Sequence, residues 1–334
     1  MPDAWWQDNV ASSNKRWLVT GAAGFIGSHL VDELLRLGQE VIGFDDFSTG
    51  YRHNLDFVKT SVSEDQWRSF TLVRADIRDF DACVEAAAGV DFVLHEAALG
   101  SVPRSMKEPR ETHTVNVDGT MNVFLASLGA GVRKVVYASS SSVYGDEPSL
   151  PKVENRIGRP LSPYAASKQI GELYANTLWR THELPTVGLR YFNVVGPRQD
   201  PEGPYAAVVP RWVAAMRSGH RPTIYGDGET SRDFCPVANA VQANLLAAVS
   251  DESTNGNAYN VALGGRTTLN ELFIALRDAL AADGVNCTDT DAIYEDFRPG
   301  DIRHSLADIT KAQRDFGYKP DVTLEEGLAH VVLS

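Results

Sequence analysis

Short apolar runs alternate with helical patterns through the first 190 residues. The runs are rich in β-branched residues and apolar on both faces, which is typical of buried parallel strands joined by helices. Between them, apolar residues recur at helical spacing, as at Leu30, Leu34 and Leu37. The pattern predicts an α/β fold with a doubly wound parallel sheet. Its strands are expected within residues 16–20, 40–46, 70–76, 90–98, 134–140 and 186–192.

The residue composition and pattern of the sequence change after residue 193. Loops rich in Gly and Pro, "GPRQDPEGPY" and "YGDGETSRDF", alternate there with shorter helical patterns. The pattern predicts a smaller C-terminal α/β lobe folded over the carboxyl edge of the sheet. We assign residues 1–193, plus about 233–250, to the first domain, and residues 194–232 and 251–334 to the lobe. Helices of the lobe are expected near residues 206–219, 268–282 and 323–332. A further helix near residues 237–250 is expected to belong to the first domain.

Composition narrows the classes of function. A net charge of −13 at pH 7 argues against a nucleic-acid partner, because phosphate binding needs a basic face. No run approaches the roughly 18 consecutive apolar residues of a membrane span, and the N-terminus does not resemble a secretory signal, so no membrane role and a cytoplasmic location are expected. Cys83, Cys235 and Cys287 are too widely spaced for a disulfide framework, and no metal site is expected.

A glycine-rich turn opens the first βα unit. In "WLVTGAAGFIGSHL", Gly21, Gly24 and Gly27 follow a predicted strand and begin a helix. Such glycines permit a tight turn, let the backbone approach a pyrophosphate and let the helix pack on the strand. Asp45 ends the next predicted strand, where an acid accepts hydrogen bonds from both ribose hydroxyls. The combination predicts a dinucleotide site that prefers NAD to NADP.

A tyrosine and a lysine lie four residues apart in "LSPYAASKQIGELYA". Tyr164 and Lys168 therefore share one face of a predicted helix. A tyrosine has an ordinary pKa near 10, and a neighbouring ammonium group and the cationic ring of oxidised NAD would lower it. The pair is a candidate for proton abstraction from a substrate hydroxyl.

Several motifs together resemble the extended short-chain dehydrogenase/reductase family over nearly the whole chain. They are "TGAAGFIGSHL", "FDDFSTG", "ADI", "VNVDGT", "SSSSVYGD", "SPYAASK" and "LRYFNVVGPRQDP". Within that family the sequence looks most like the NAD-dependent nucleotide-sugar 4-epimerases, on "YAAVVPRW", "GDGETSRDF" and "FRPGDIRHSLADI". The resemblance implies a Rossmann-type fold, NAD as cofactor, a UDP-sugar substrate and a homodimer formed through helices near residues 104–130 and 162–182.

The resemblance also implies roles for individual residues. Tyr164 would be the base, Lys168 would lower its pKa and bind ribose, and Ser142 would hydrogen-bond the sugar's O4 as a third catalytic residue. The cofactor site implied by the family comprises Gly21, Gly24, Phe25, Ile26, Gly27, Asp45, Asp46, Phe47, Ser48, Thr49, Gly50, Asp76, Ile77, Ala97, Ala98, Asn116, Ser140, Tyr164, Lys168 and Tyr191. The implied substrate site comprises Gly100, Ser101, Ser140, Ser142, Tyr164, Asn193, Ala207, Val208, Tyr225, Arg232, Arg298, Asp301 and Ser305.

The serine run bears on the reaction type. Dehydratase relatives carry an Asp-Glu pair directly before Val-Tyr-Gly, and uronate decarboxylases usually carry Glu there. Here these positions are Ser141 and Ser142. A hydroxyl can donate and accept a hydrogen bond but is neither a strong acid nor a strong base. The sequence therefore favours 4-epimerisation through a transient 4-keto sugar.

Ser305 bears on the size of the sugar. Relatives restricted to plain hexoses resemble this chain but carry a bulky aromatic residue at that position, and a small residue leaves room for a 2-acetamido group. We therefore expect interconversion of UDP-GlcNAc and UDP-GalNAc. UDP-hexoses and UDP-N-acetylhexosaminuronic acids remain alternatives, and a non-catalytic NAD-binding scaffold is the alternative from another class.

Overall fold

The computed structural model describes residues 5–200, 207–297 and 302–333. A parallel seven-stranded sheet in the order β11-β6-β5-β4-β1-β2-β3 forms its centre. The strands are β1 (Arg16–Thr20), β2 (Glu40–Phe44), β3 (Phe70–Val73), β4 (Phe92–His95), β5 (Lys134–Ser140), β6 (Thr186–Tyr191), β7 (Val194–Val195), β8 (Thr223–Tyr225), β9 (Ser231–Arg232), β10 (Cys235–Pro236), β11 (Asn257–Val261), β12 (Thr267–Thr268) and β13 (Ile293–Glu295).

Helices connect the strands and cover both faces of the sheet. They are α1 (Trp5–Ala11), α2 (Phe25–Arg36), α3 (Arg52–Ser61), α4 (Glu64–Arg68), α5 (Phe80–Ala87), α6 (Val102–Lys107), α7 (Pro109–His113), α8 (Thr120–Ala130), α9 (Pro163–His182), α10 (Val208–Arg217), α11 (Val237–Val249), α12 (Leu269–Ala282), α13 (Thr310–Phe316) and α14 (Leu324–Val332). A π-helical segment (Thr114–Gly119) leads into α8, and single 3-10 turns occur at Ser141–Tyr144 and Glu252–Thr254. The predicted doubly wound α/β fold is confirmed.

Three apolar cores hold the layers together. The first contains sheet residues such as Leu94 and Val187 with residues of α2 and α11, and the second contains residues such as Val93 and Tyr137 with residues of α5, α8 and α9. Successive strand residues alternate between these two cores, as expected of a sheet buried on both faces. The third core lies in the lobe, between α10, α12 and α14.

The boundary of the lobe differs from the prediction. Residues 257–261, assigned from sequence to the lobe, form the edge strand β11, which pairs in parallel with β6. Pro236, which interrupts a strand-like run, ends the two-residue strand β10 and directly precedes α11. A proline fits there because it sits where a strand ends, so no further ladder hydrogen bond is required. The rest of the domain division stays a prediction.

His95 and the three cysteines are buried in the described structure. His95 is buried, and its two ring nitrogens contact the hydroxyls of Thr20 at 2.7 Å and Thr120 at 3.0 Å. Burial lowers its pKa to about 3, so the ring is neutral. Cys83 and Cys235, like Cys287, are buried free thiols. Across the described ranges, no helix is both long enough and apolar enough to cross a membrane.

Candidate active site

Two clefts meet at the carboxyl edge of the sheet. The first, here named the glycine cleft, has a volume of about 380 Å³ and is lined by the turn after β1 and the ends of β2, β3 and β4. The second, the serine cleft, has a volume of about 560 Å³ and lies between the end of β5, helix α9 and the lobe. Phe25, Ile26 and Gly100 line both. A ligand in one cleft can therefore contact a ligand in the other.

The glycine turn is closed so tightly that side chains do not fit. Gly21 has φ +70°, and a Cβ atom there would lie 2.8 Å from the backbone nitrogen of Ala97. A Cβ on Gly27 would lie 2.0 Å from the carbonyl oxygen of Gly21. The third glycine therefore lets α2 pack against the turn that precedes it. The backbone of the turn is left open to the glycine cleft, as pyrophosphate binding requires.

Asp45 fixes the turn from the neighbouring strand. Its carboxylate accepts hydrogen bonds from the backbone amides of Ala23 and Phe47, each at 2.8 Å. Burial raises the pKa of Asp45, and these two amide bonds oppose that shift. Each carboxylate oxygen keeps a further acceptor site, so the residue remains able to accept from ribose hydroxyls.

Most of the predicted cofactor residues line the glycine cleft. Those that do are Gly21, Gly24, Phe25, Ile26, Gly27, Asp45, Asp46, Ser48, Thr49, Gly50, Asp76, Ile77, Ala97 and Ala98. Ser140, Tyr164 and Tyr191 line the serine cleft instead. Phe47, Asn116 and Lys168 line neither cleft.

Asn116 and Lys168 form hydrogen bonds with neighbouring segments of the chain. Asn116, in the π-helical segment, accepts from the amide of Leu99 at 2.8 Å and donates to Ser167 of α9 at 3.1 Å. Lys168 donates from Nζ to the carbonyl of Ala138 at 2.8 Å. These contacts connect the loop after β4, helix α9 and strand β5. Burial lowers the pKa of Lys168 to about 8, whereas Glu96 acts to raise it.

The four serines have different environments. Ser140 ends β5 and caps the following 3-10 turn by accepting from the amide of Ser142 at 3.2 Å. Its side chain is also the neighbour that lowers the pKa of Tyr164. Ser139 and Ser141 line the serine cleft with Ser140, but Ser142 does not. The Ser142 hydroxyl oxygen is buried and lacks a hydrogen-bond partner among the described residues.

The pKa of Tyr164 is set by burial and two neighbours. Burial raises it above the ordinary value, the Ser140 hydrogen bond lowers it, and the charge of Glu96 raises it. The lowering by Lys168 that the resemblance implies is not among these effects, because the ammonium group contacts Ala138. A cation bound beside Tyr164 would lower its pKa further.

A buried ion pair lies behind the serines. Glu172 of α9 and Arg190 of β6 form two hydrogen bonds, of 2.8 and 2.7 Å. Glu172 also accepts from the hydroxyl of Ser139 at 2.5 Å. Arg190 donates to the hydroxyl of Tyr144 at 3.1 Å. The network joins α9, β5, β6 and the 3-10 turn.

The serine cleft contains part of the predicted substrate site. Gly100, Ser140, Tyr164, Asn193, Ala207, Val208, Tyr225 and Arg232 line it. Ser101, Ser142 and Ser305 do not: Ser101 caps α6, and the amide of Ser305 donates to the carbonyl of Ser231 beside Arg232. Arg298 and Asp301 lie outside the described residues. Gln199, Arg211 and Thr230 line the cleft although no pattern singled them out.

Glu96 is a half-buried acid that sequence reasoning did not single out. It follows His95 at the end of β4 and lines the glycine cleft. Its Oε1 accepts from the hydroxyl of Tyr191 at 2.8 Å. The run "FVLHEAA" reads as an ordinary strand end, and no local spacing signals that the acid faces a cleft.

Comparison with known proteins identifies the fold and its chemistry. The NAD dependent epimerase/dehydratase family matches residues 17–262. The chain belongs to this family. It is 40% identical to the UDP-glucose 4-epimerase of Mycolicibacterium smegmatis, over 95% of this chain and 97% of that protein.

Two solved structures extend the comparison over both domains. The UDP-N-acetylglucosamine 4-epimerase from Methanobrevibacter ruminantium M1, in complex with UDP-N-acetylmuramic acid, is 41% identical with a TM-score of 0.88, covering 96% of this chain and 98% of that one. The UDP-glucose 4-epimerase of Thermus thermophilus, in complex with NAD, is 34% identical with a TM-score of 0.80, covering 95% and 97%. This chain is therefore a family enzyme that uses NAD.

The residues present fit that cofactor. The glycine turn leaves backbone uncovered where a Cβ would collide, and Asp45 stands at the end of β2 with acceptor capacity to spare. NAD, when bound, supplies an acceptor for a hydrogen and two electrons from a substrate carbon.

Substituting Gly27→Ala tests the cofactor turn. The added Cβ would meet the carbonyl of Gly21, so the turn must open. We expect NAD binding to weaken on the order of tenfold or more, equivalent to about 1.4 kcal/mol, measured as nucleotide released from purified protein. The control is Gly265→Ala, an exposed position where a Cβ meets no atom within 4 Å. Equal NAD content in the two variants would contradict the assignment.

Proposed function

We propose that the enzyme interconverts UDP-GlcNAc and UDP-GalNAc by NAD-dependent 4-epimerisation. The observation that carries the proposal is that Ser140 and Tyr164 both line the serine cleft, beside the glycine cleft, and that Ser140 is the neighbour that lowers the pKa of Tyr164. A 4-epimerase must remove the proton of one sugar hydroxyl while hydrogen leaves the same carbon. Two adjacent hydroxyls can hold and deprotonate that group without further acids or bases.

Tyr164 acts as the base in this scheme. Its hydroxyl takes the proton of the sugar's 4-hydroxyl as the C4 hydrogen departs, and it returns the proton when hydrogen comes back to the other face of the 4-keto sugar. Lys168 holds the backbone of β5 at Ala138 and adds positive charge beside the site.

Ser140 is our choice for the hydroxyl that binds the sugar's O4. The family resemblance suggests Ser142 for this role, but the contact with Tyr164 and the position in the cleft both favour Ser140. The hydroxyl of Ser142 faces a buried position without a partner among the described residues. We therefore transfer the role from Ser142 to Ser140.

The absence of carboxylates at positions 141 and 142 supports epimerisation over elimination. A dehydratase must protonate a leaving hydroxyl and remove a second proton, and serine is too weak an acid and base for either step. Ser141 lines the serine cleft as a small neutral residue. A 4-keto sugar in this cleft would then persist until hydrogen returns.

The diphosphate must stay bound while the sugar turns. Arg232 lines the lobe side of the serine cleft, and we propose that it binds the diphosphate, as guanidinium geometry suits phosphate oxygens. Arg298 and Asp301 are proposed to contact the diphosphate and the uridine ribose. Gly100 and Ala207 are small residues that leave the hexose free to rotate.

The acetamido preference is based on Ser305. The backbone amide of Ser305 donates a hydrogen bond to the carbonyl of Ser231, and Ser305 therefore lies close to Arg232. The 41% identical structure named as a UDP-N-acetylglucosamine 4-epimerase supports this substrate class. The UDP-glucose 4-epimerases of Mycolicibacterium smegmatis and Thermus thermophilus, at 40% and 34% identity, favour UDP-glucose and UDP-galactose as the second candidate.

We also propose a homodimer formed through the helices around α6 to α9. Met106 and Leu173 are 62% and 64% exposed in the single chain, and Leu125 and Tyr174 are exposed as well. Exposed apolar side chains on neighbouring helices favour burial against a second copy. Sedimentation of a monomer at micromolar concentration would refute this assembly.

The serine assignment is tested by two alanine substitutions. Ser140→Ala removes the hydroxyl that contacts Tyr164, and we expect kcat to fall on the order of 100-fold with NAD content unchanged. Ser142→Ala is the matched control and should change kcat by less than about threefold, because its hydroxyl does not line the cleft. A larger loss in Ser142→Ala than in Ser140→Ala would reverse the assignment.

The substrate class is tested at Ser305. Ser305→Tyr should abolish turnover of UDP-GlcNAc, because the ring would occupy the space of the acetamido group, and should leave UDP-glucose turnover within about tenfold of the unmodified enzyme. Ser305→Ala, which keeps the position small, should retain activity on UDP-GlcNAc. Both are measured by kcat/KM on the two sugars. If the unmodified enzyme already prefers UDP-glucose, the second candidate replaces the first.

A further inference from the structure

The proposed reaction leaves one half-buried acid of the glycine cleft without a role. Glu96 accepts at Oε1 from the hydroxyl of Tyr191, and that hydroxyl accepts from Nδ2 of Asn244 at 2.7 Å. Asn244 is itself held through a bond to the carbonyl of Ala240 in α11. The carboxyl group therefore has a fixed position at the end of β4.

Glu96 lies where the two clefts adjoin. It lines the glycine cleft, whereas its partner Tyr191 lines the serine cleft. The reactive end of bound NAD must reach the same boundary, because it accepts hydrogen from a carbon whose hydroxyl contacts Tyr164. The acid and the reactive ring thus share the buried end of the glycine cleft.

The ionisable groups that act on Glu96 come from two elements besides its own. Tyr191 of β6 donates the hydrogen bond, and Lys168 and Tyr164 of α9 interact through charge. Burial raises the pKa of Glu96 to about 7, whereas the Tyr191 bond and Lys168 oppose that shift. The adjoining His95 is neutral. Glu96 therefore changes its charge near neutral pH.

We propose that Glu96 is a positioning residue whose carboxylate, fixed by Tyr191, stabilises the oxidised, cationic form of bound NAD over the neutral reduced form. A negative charge attracts the cationic ring and has no such attraction for the neutral one. The attraction is stronger in a cleft that excludes water than in solvent. When the ring is reduced, the carboxylate loses its partner and takes up a proton.

This charge balance supports catalysis by returning the cofactor to the oxidised form. In the catalytic cycle NAD would receive two electrons and one hydrogen together as hydride from C4, while Glu96 takes up one proton. The return of hydride to C4, with Tyr164 giving its proton back to O4, would restore the cationic ring and release the one proton held by Glu96. The role of Glu96 in the catalytic cycle rests on the proposed function. The stabilisation of oxidised NAD by Glu96 does not.

The experiment is a redox titration of the purified holoenzyme with viologen mediators, read by the absorbance of reduced NAD. No sugar is present, so its outcome is independent of the epimerase assignment. In the unmodified enzyme, reduction near pH 7 should take up more than one proton per NAD, each proton adding about 30 mV per pH unit. In Glu96→Gln, which keeps an acceptor for Tyr191, uptake should fall to one proton.

The same titration measures the size of the effect. At about pH 8, where Glu96 is ionised, Glu96→Gln should raise the ratio of reduced to oxidised NAD about tenfold at a fixed potential, the equivalent of one pK unit. Glu96→Asp, which keeps the charge, should retain the extra proton uptake. Glu85→Gln, an exposed acid on α5, removes the same charge and should leave the ratio unchanged.

Two results would overturn the proposal. One is a ratio in Glu96→Gln that stays within about twofold of the unmodified enzyme, together with unchanged proton uptake. The second result comes from Tyr191→Phe, a variant that tests the proposal even if Glu96→Gln does not fold or does not retain NAD. Removing the Tyr191 hydrogen bond should move the extra proton uptake to higher pH, because that bond lowers the pKa of Glu96. An unmoved transition contradicts the proposal.

Discussion

The buried ion pair between Glu172 and Arg190 joins helix α9 to strand β6 and, through Ser139, to strand β5. Glu172 lies two turns after Tyr164 on α9, and the carboxylate that binds Arg190 also accepts from Ser139, the neighbour of Ser140. The side chains of the pair are only 4% and 11% exposed. Losing one partner of such a pair costs about 3–5 kcal/mol, because the other charge remains buried. The ion pair thus joins α9, which carries Tyr164, to β6 and to β5, which ends at Ser140.

A second carboxylate connects the lobe to the sheet. Asp233 is fully buried and accepts from the backbone amides of Leu263, Gly264 and Ala307. It follows Arg232 directly, and Ala307 lies two residues after Ser305. One buried acid therefore holds three separate chain segments beside the serine cleft. The parallel sheet supplies the other wall, because strands that run the same way end at the same edge. The glycine cleft and the serine cleft consequently share a boundary.

Local chemistry made much of the fold, and the close packing of the glycine turn, predictable from sequence. Gly21, Gly27 and Asp45 are constrained by backbone closeness within one βα unit, so their spacing is informative. Long-range features were less accessible: β11 pairs with β6, about 70 residues earlier, and no local pattern assigns it to the sheet. The four serines are identical in type, and only the 3-10 turn distinguishes Ser140 from its neighbours. The position of Glu96 could not be predicted from sequence, because it is fixed by a hydrogen bond from Tyr191, which in turn accepts from Asn244. Both residues lie far from Glu96 in the chain.

Retention of the C4 hydrogen is the property that most directly distinguishes the proposed chemistry. The enzyme would be incubated with UDP-GlcNAc in deuterium oxide and followed by proton NMR. We expect UDP-GalNAc to accumulate with its C4 proton intact, because the hydrogen leaves and returns within one closed site. Deuterium at C4 would contradict internal hydrogen transfer. A 4-keto-6-deoxy sugar, released CO₂ or the absence of UDP-GalNAc would contradict 4-epimerisation of this substrate.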